Sequence, residues 1–454
     1  MGQLNFLLSD FNERGSVVHA DLLVMVIQIN LSIMSPLIPT TLVVLGATLG
    51  AAQLISSPGC FPPYGNNQPA VHAYSNLYGG QQDFSLALLN AINKIMPKEN
   101  LFFSPYSTYH ALLIAYFMAG GQTEAYLKKV LRLGENQYKS DIYSAYKLDR
   151  FRTHFAANDA APYEFTSANK IYVSNDTRVR ECVMADFPDE LELFPFKYDA
   201  EGSRLAINRW VENTTHHMIT DLLLPGSIDA STSLVLVNAA YFKGIWKNKF
   251  NPNLTKPEIF YVSPTKQIIV EMMHVEGTFK HDISESLGAH ILELPYQGEN
   301  ISMYILLPPF SNTEDSIDAT LKNLNLDNFK KLVEKDSLVP RTVQVSLPKF
   351  SLETTIELVP ILQSMGIGDV FQPTANFTAL IEEGKVSLGD ARHKAKIEVT
   401  EEGTKAAAAT VLFSFRSSRP AEPSQFICNH PFIYFIYDKT EEAILFGGVF
   451  RRPH

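Results

Sequence analysis

The residues best suited to chemistry in this chain do not form a catalytic set. Arg416 and Ser417 lie in the polar run FSFRSSRPAEP, which Pro420 and Pro423 break. A peptide bond after Arg suits a trypsin-like protease, whose buried pocket carboxylate pairs with the guanidinium in a bidentate, charge-assisted contact. Arg419 carries the same group but precedes Pro420, and such enzymes resist cutting before Pro. Just upstream, residues 401–410 read EEGTKAAAAT. With period two, Thr404, Ala406, Ala408 and Thr410 fall on one face and all are small, while Lys405 falls on the other. The run Ala406, Ala407, Ala408, Ala409 favours helix by propensity, but β-branched Thr404, Thr410 and Val411 oppose it. This composition suits a segment that is a loop at one time and a strand between packed strands at another.

Other chemistry finds no support. There is no GxSxG elbow, HExxH, P-loop or GxGxxG. A net charge of −10 argues against nucleic-acid binding as a bulk property. Cys60, Cys182 and Cys428 have no metal-ligand spacing, so no metal is expected; an odd count leaves one thiol unpaired, and Cys428 reads as free and buried. Lys128, Lys129, Arg132, Lys139, Lys147, Arg150 and Arg152 form a basic-leaning region, read as a solvated helix face offset by Glu135, Asp141 and Asp149.

The elements that must position these residues emerge from pattern. Residues 37–55 form an apolar stretch whose small residues Gly50, Ala51 and Ala52 resemble a signal-peptidase site, so residues 1–55 read as a leader with a secretory signal, Met34 being an alternative start and a membrane anchor the rival. Residues 56–80, rich in Pro, Gly, Tyr and Asn, read as a flexible arm. The domain is expected over 81–454. Helices are expected over 83–95, over 106–118 after Ser104-Pro105, and over 207–223. Strands are expected over 234–241, 268–273, 290–294, 302–307, 342–347, 397–400 and 432–437. Elements that do not alternate regularly indicate an α+β fold. Among the five N-x-S/T sequons beyond the leader, Asn175, Asn253 and Asn213 read as glycosylation sites, whereas Asn300 and Asn376 sit in apolar segments that read as buried or edge strands.

A family resemblance joins these parts. NLFFSPYS (100–107), INRWV (207–211), LVLVNAAYFKGIW (234–246), ILELPY (291–296), LLP (306–308), LPKF (347–350), MGI (365–367), HKA (393–395) and NHPF (429–432) occur in register. Together with residues 401–410 they resemble an inhibitory serpin over about 370 residues, most similar to arthropod secreted members. The resemblance implies three β-sheets, about nine helices and an exposed reactive loop over about 401–426. It implies a hinge of Glu401, Glu402, Gly403, Thr404, Ala406, Ala407, Ala408, Ala409 and Thr410, and a polar gate, the shutter, of Ser104, Ser107, Asn238 and His393. Family counting puts the reactive bond at Ser417–Ser418, one residue past Arg416–Ser417, so both stay open, with Arg419 third. The implied function is that of a secreted, monomeric inhibitor of a trypsin-like serine protease, which traps the acyl-enzyme as the cut loop enters the large sheet. Control of an arthropod haemolymph protease cascade in innate immunity is a plausible setting. No cofactor is implied beyond a heparin-like polyanion at the basic region, and neither nucleic acid nor a membrane is a partner of the mature chain. The alternative is a non-inhibitory serpin acting as carrier, chaperone or storage protein.

Overall fold

The structure is a computed structural model that describes residues 60–61, 73–156, 163–310, 316–334, 337–403 and 423–453. The leader therefore lies outside the described residues. So does the loop from 404 to 422, which holds the hinge from Thr404 onward and Arg416, Ser417, Ser418 and Arg419.

The described chain opens with α1 (Ala73–Ile95), β1 (Leu101–Phe103), α2 (Pro105–Met118), α3 (Gly121–Val130) and α4 (Lys139–Ala156). It continues through β2 (Tyr163–Ser174), α5 (Glu181–Asp186), β3 (Leu191–Phe194), α6 (Ala200–Thr214) and β4 (Leu234–Gly244). Next come β5 (Lys256–Ser263), β6 (Lys266–Ser284), β7 (Ala289–Pro295) and β8 (Ile301–Leu307), then α7 (Ser316–Asn323) and α8 (Leu326–Val333). The chain closes with β9 (Pro340–Pro348), β10 (Phe350–Glu357), α9 (Leu358–Met365), β11 (Leu388–Val399), β12 (Ser424–Ile427), β13 (Phe432–Asp438) and β14 (Ala443–Phe450). This is the expected α+β fold, with nine α-helices among the described residues.

The strands form two hydrogen-bonded networks rather than three separate sheets. One runs β1-β14-β13-β8-β7-β6-β9-β12 with β5 on β6, and the other runs β10-β11-β4-β2-β3. The first is continuous because β6 pairs in turn with β5, β9 and β7 along its length. The second positions the site. In it β11 and β4 are parallel neighbours, while β10–β11 and β2–β4 are antiparallel.

β4 is buried on both faces, which explains its near-continuous apolar sequence. Val235, Val237, Ala239 and Tyr241 pack with Ile207 and Val211 of α6. Their even-numbered neighbours face the opposite way.

Several boundaries differ from expectation: β6 and β11 are far longer than the strands expected over 268–273 and 397–400, and β11 ends before residue 400. α1 begins at Ala73, inside the segment expected as a flexible arm, and Cys60 of that segment is disulfide-bonded to Cys182. Phe61 packs 4.9 Å from Tyr143 and 5.7 Å from Phe117, so this point of the arm is anchored. α6 begins and ends earlier than 207–223, because Asp199 caps its start by accepting from the Gly202 N–H. His216 and His217, both with positive φ, come just after its end. Finally, neither Asn300 nor Asn376 lies in a strand: Asn300 is exposed in the β7–β8 turn, and Asn376 is half-buried in a loop. Asn175, Asn213 and Asn253 are exposed. Cys428 is buried and free.

Candidate functional site

The four residues expected at the gate come together. Ser104 caps α2: its Oγ accepts from the Ser107 N–H at 3.1 Å, and Pro105 occupies the first helical position. Asn238 of β4 stands opposite His393 of β11 across the parallel pair, and opposite Asn169 of β2 on its other side. Ser104, Ser107, Asn238 and His393 are each fully buried.

The hydrogen bonds form a chain across the seam. The Ser104 backbone N–H donates to His393 Nε2 at 2.8 Å, and His393 Nδ1 contacts Asn238 Oδ1. Asn238 Nδ2 donates to Ser107 Oγ at 2.6 Å, and Thr108 Oγ1 donates to Asn238 Oδ1 at 3.3 Å. Ser104 Oγ donates to Leu445 O, fixing the start of α2 on β14. The tautomer of His393 is set by its partners. Nε2 faces a backbone donor, so it must be the lone pair, and the proton sits on Nδ1 toward Asn238. Burial pulls the His393 pKa down to about 3, so the ring is neutral in this setting.

The polar row divides the core. On the inward faces of the two strands, Leu236 and Ala391 belong to one apolar cluster, and Ala240 and Ala395 to the other. Asn238 and His393 lie between them, so the β4–β11 seam is held there by exchangeable hydrogen bonds instead of interlocked apolar side chains. Thr108, Ser167 and Asn169 belong to the same network and escape sequence reasoning: Ser167 Oγ donates to Ser107 Oγ at 3.0 Å, and the Asn169 amide lies 2.9 Å from Ser107 Oγ.

Above the row, the described part of the hinge is anchored. Glu401 is buried; its carboxylate accepts from Thr255 Oγ1 and from Lys349 Nζ, both at 2.9 Å. Burial opposes its charge, yet the bonds from Lys349, its own backbone and Thr255 outweigh that cost and hold the carboxyl below its usual range. The Glu401 and Glu402 carbonyls accept from the Phe250 and Trp246 N–H groups. Trp246 stacks on Tyr296 at 4.3 Å and donates from Nε1 to Thr400 O. Gly403 bridges to Ile245, just past the end of β4, with φ +94°. A Cβ there would collide with Gly244 O and Ile245 Cα, so glycine is required.

A second polar cluster lies farther along α2. His110 and Asp149 of α4 are both buried, and His110 Nε2 meets Asp149 Oδ2 at 3.0 Å. His110 Nδ1 faces the Tyr106 carbonyl at 2.8 Å. Asp149 also accepts from the hydroxyls of Tyr78 and Tyr106. Burial opposes its ionisation, but the His110 contact and the two tyrosine bonds prevail and lower its pKa. The solvated role expected for Asp149 is thus corrected: it faces inward, where α4 packs on α1 and α2. A cavity of about 60 Å³, lined by His110, Asp149, Ser167 and Asn169, joins this cluster to the gate.

Of the seven basic-region cations, five are committed. Lys128 donates to the Glu135 and Gln137 carbonyls. Arg132 pairs with Asp83, Lys139 with Glu124, Arg150 with Glu190 and Arg152 with Glu441.

Known proteins share this architecture. The family described as Serpin (serine protease inhibitor) matches residues 79–453. Serine protease inhibitor 88Ea of Drosophila melanogaster is 44% identical over 394 residues, covering 83% of this chain and 91% of that protein. Macrophage plasminogen activator inhibitor 2 of Mus musculus is 35% identical, covering 82% of this chain and 98% of that protein. Among solved structures, maspin superposes with a TM-score of 0.76 at 26% identity, covering 84% of this chain and all of that one.

Proposed function

The chain belongs to the serpin family of serine protease inhibitors, and on that premise we propose that it is a secreted, monomeric, single-use inhibitor of a trypsin-like protease. Arg416 presents the scissile bond to Ser417. After acylation, the segment beyond Gly403 enters the sheet between β11 and β4 and carries the bound protease away before deacylation. Loop insertion of this kind is an established switch in the family.

One observation carries the reading: β11 runs into the small-faced segment at Gly403, and its neighbour β4 is parallel to it and joined through neutral polar bonds. A strand that turns back from β11 is antiparallel to both β11 and β4. One parallel ladder is then replaced by two antiparallel ones, which pair slightly better per residue. Ten inserted residues forming ten or more ladder bonds at about 1 kcal/mol each supply roughly 10 kcal/mol. That equals the whole stability of an ordinary domain, so the uninserted fold is metastable and persists behind a barrier. The Cys60–Cys182 disulfide supports export, since such bonds persist in oxidising compartments.

The test is incubation with trypsin-, chymotrypsin- and elastase-like proteases, then denaturing electrophoresis. A covalent complex is expected with the trypsin-like enzyme only, and Arg416→Ala should abolish it without changing thermal unfolding. The released C-terminal peptide should begin at Ser417. A start at Ser418 moves the bond and implies another protease class. Cleavage with no complex for any enzyme would leave a carrier, chaperone or storage role.

A further inference from the structure

A groove of about 280 Å³ lies away from the gate, where the ends of several strands meet the C-terminal residues. Its aromatic wall is rigidly built. The Tyr261 N–H at the end of β5 donates to Asn429 O at 2.8 Å, and His430 Nε2 donates to Pro308 O at 2.7 Å. These bonds hold Phe310, with its ring 5.3 Å from Tyr261 and 5.6 Å from His430. Yet Phe310 is 51% exposed, so the fold fixes an aromatic face and leaves it to solvent.

Among the described residues, the charges around this wall are unbalanced. Lys98 and Lys266 stand exposed in the lining, and neither has an ion-pair partner among the described residues. Arg451 donates to Glu99 O at 2.7 Å and to Asn93. Burial pulls its pKa down to about 10, and the nearby Asp318 and Glu99 carboxylates oppose that shift. Asp318 is the one carboxylate lining the groove among the described residues, and its Oδ1 already accepts from Asn93 Nδ2 at 2.8 Å.

We propose that this groove binds an aryl anion, an aromatic ring bearing a sulfate or carboxylate. The ring lies on Phe310 and Tyr261, and the acid group meets Lys98, Lys266 and the edge of Arg451. The space suits one such group rather than a polymer. A free small acid and a sulfated tyrosine on another protein carry the same chemistry.

The full-length protein is titrated calorimetrically with N-acetyl-tyrosine O-sulfate, N-acetyl-tyrosine, inorganic sulfate and a sulfotyrosine peptide. Saturable binding of the aryl sulfate is expected, about tenfold or more tighter than either the unsulfated ring or sulfate alone. Lys98→Ala with Lys266→Ala should weaken it about tenfold, and Phe310→Ser several-fold, with thermal unfolding and protease inhibition unchanged. Tighter binding of the peptide than of the amino acid assigns the site to a partner's side chain; equal binding assigns it to a small molecule. The proposal is overturned if inorganic sulfate binds as well as the aryl sulfate, if the double lysine variant binds unchanged, or if no ligand saturates.

Discussion

His393 and His110 are both buried beside the start of α2, and the protein asks opposite things of them. His393 has a donor on one ring nitrogen and an acceptor on the other, so the neutral ring satisfies both. His110 faces the Tyr106 carbonyl with one ring nitrogen and the Asp149 carboxylate with the other. A neutral bond across a seam can exchange partners at modest cost, whereas a buried carboxylate is expensive to part from the several groups that bind it. The first lies between β11 and β4, where a strand would enter. The second ties α2 to α4, and together with the hydroxyls of Tyr78 and Tyr106 it forms a fixed base. On the proposed mechanism, the seam would part over a foundation that stays.

Breaking the foundation should cost most. Asp149→Asn removes the buried carboxylate that holds Tyr78, Tyr106 and His110 together, and a loss of about 3–5 kcal/mol is expected in denaturant unfolding. A loss under about 1 kcal/mol would show that the pair is no clamp. His393→Ala should cost less, about 2–3 kcal/mol, because the Ser104 N–H is left unpaired and Asn238 Oδ1 keeps only its bond from Thr108 Oγ1. It should also hasten spontaneous loss of inhibitory activity on storage; unchanged decay would remove His393 from the gate.

Acid sharpens the contrast with a smaller effect. The folded value of His393, about 3, lies below the ordinary value near 6.5. Below about pH 6.5 the unfolded chain takes up a proton that the native ring refuses, so stability falls with falling pH by about 1.4 kcal/mol per unit. Asp149, lowered in the fold, keeps its contribution until the pH falls through its own range. From pH 6.5 to 5, therefore, the gate should weaken by about 2 kcal/mol while the foundation holds. Thermal unfolding of the wild type and His393→Ala across this range should differ by that amount. His281 and His430, also lowered by burial, act with the same sign in both proteins and cancel in the difference. Parallel pH curves would contradict the assignment.

Legibility in the sequence tracks the range of the interactions. The start of α2 is written locally in Ser104-Pro105, and β4 in its apolar run interrupted by Asn238. Both are readable. β2 is not, because Lys170 and Asn169 break its apolar pattern, and the reason for Asn169 emerges only when β4 lies beside it. The Glu401–Lys349 and His110–Asp149 pairs join residues far apart in sequence, each ordinary in its own context. Asp149 sits in YKLDRFR, which reads as a solvated charged face. Only the packing of α4 on α1 and α2 turns it inward.

Gly403 has one more consequence. Because its backbone is seated against Ile245, the residues after it are counted from a fixed origin. Side chains alternate between faces in a strand, so on the proposed insertion the segment beyond that glycine would enter in a single reading frame. Thr404, Ala406, Ala408 and Thr410 are in phase. Deleting a single residue among them would add no bulk and change no charge pattern elsewhere, yet it would shift every later side chain to the opposite face, as a frameshift does to a message.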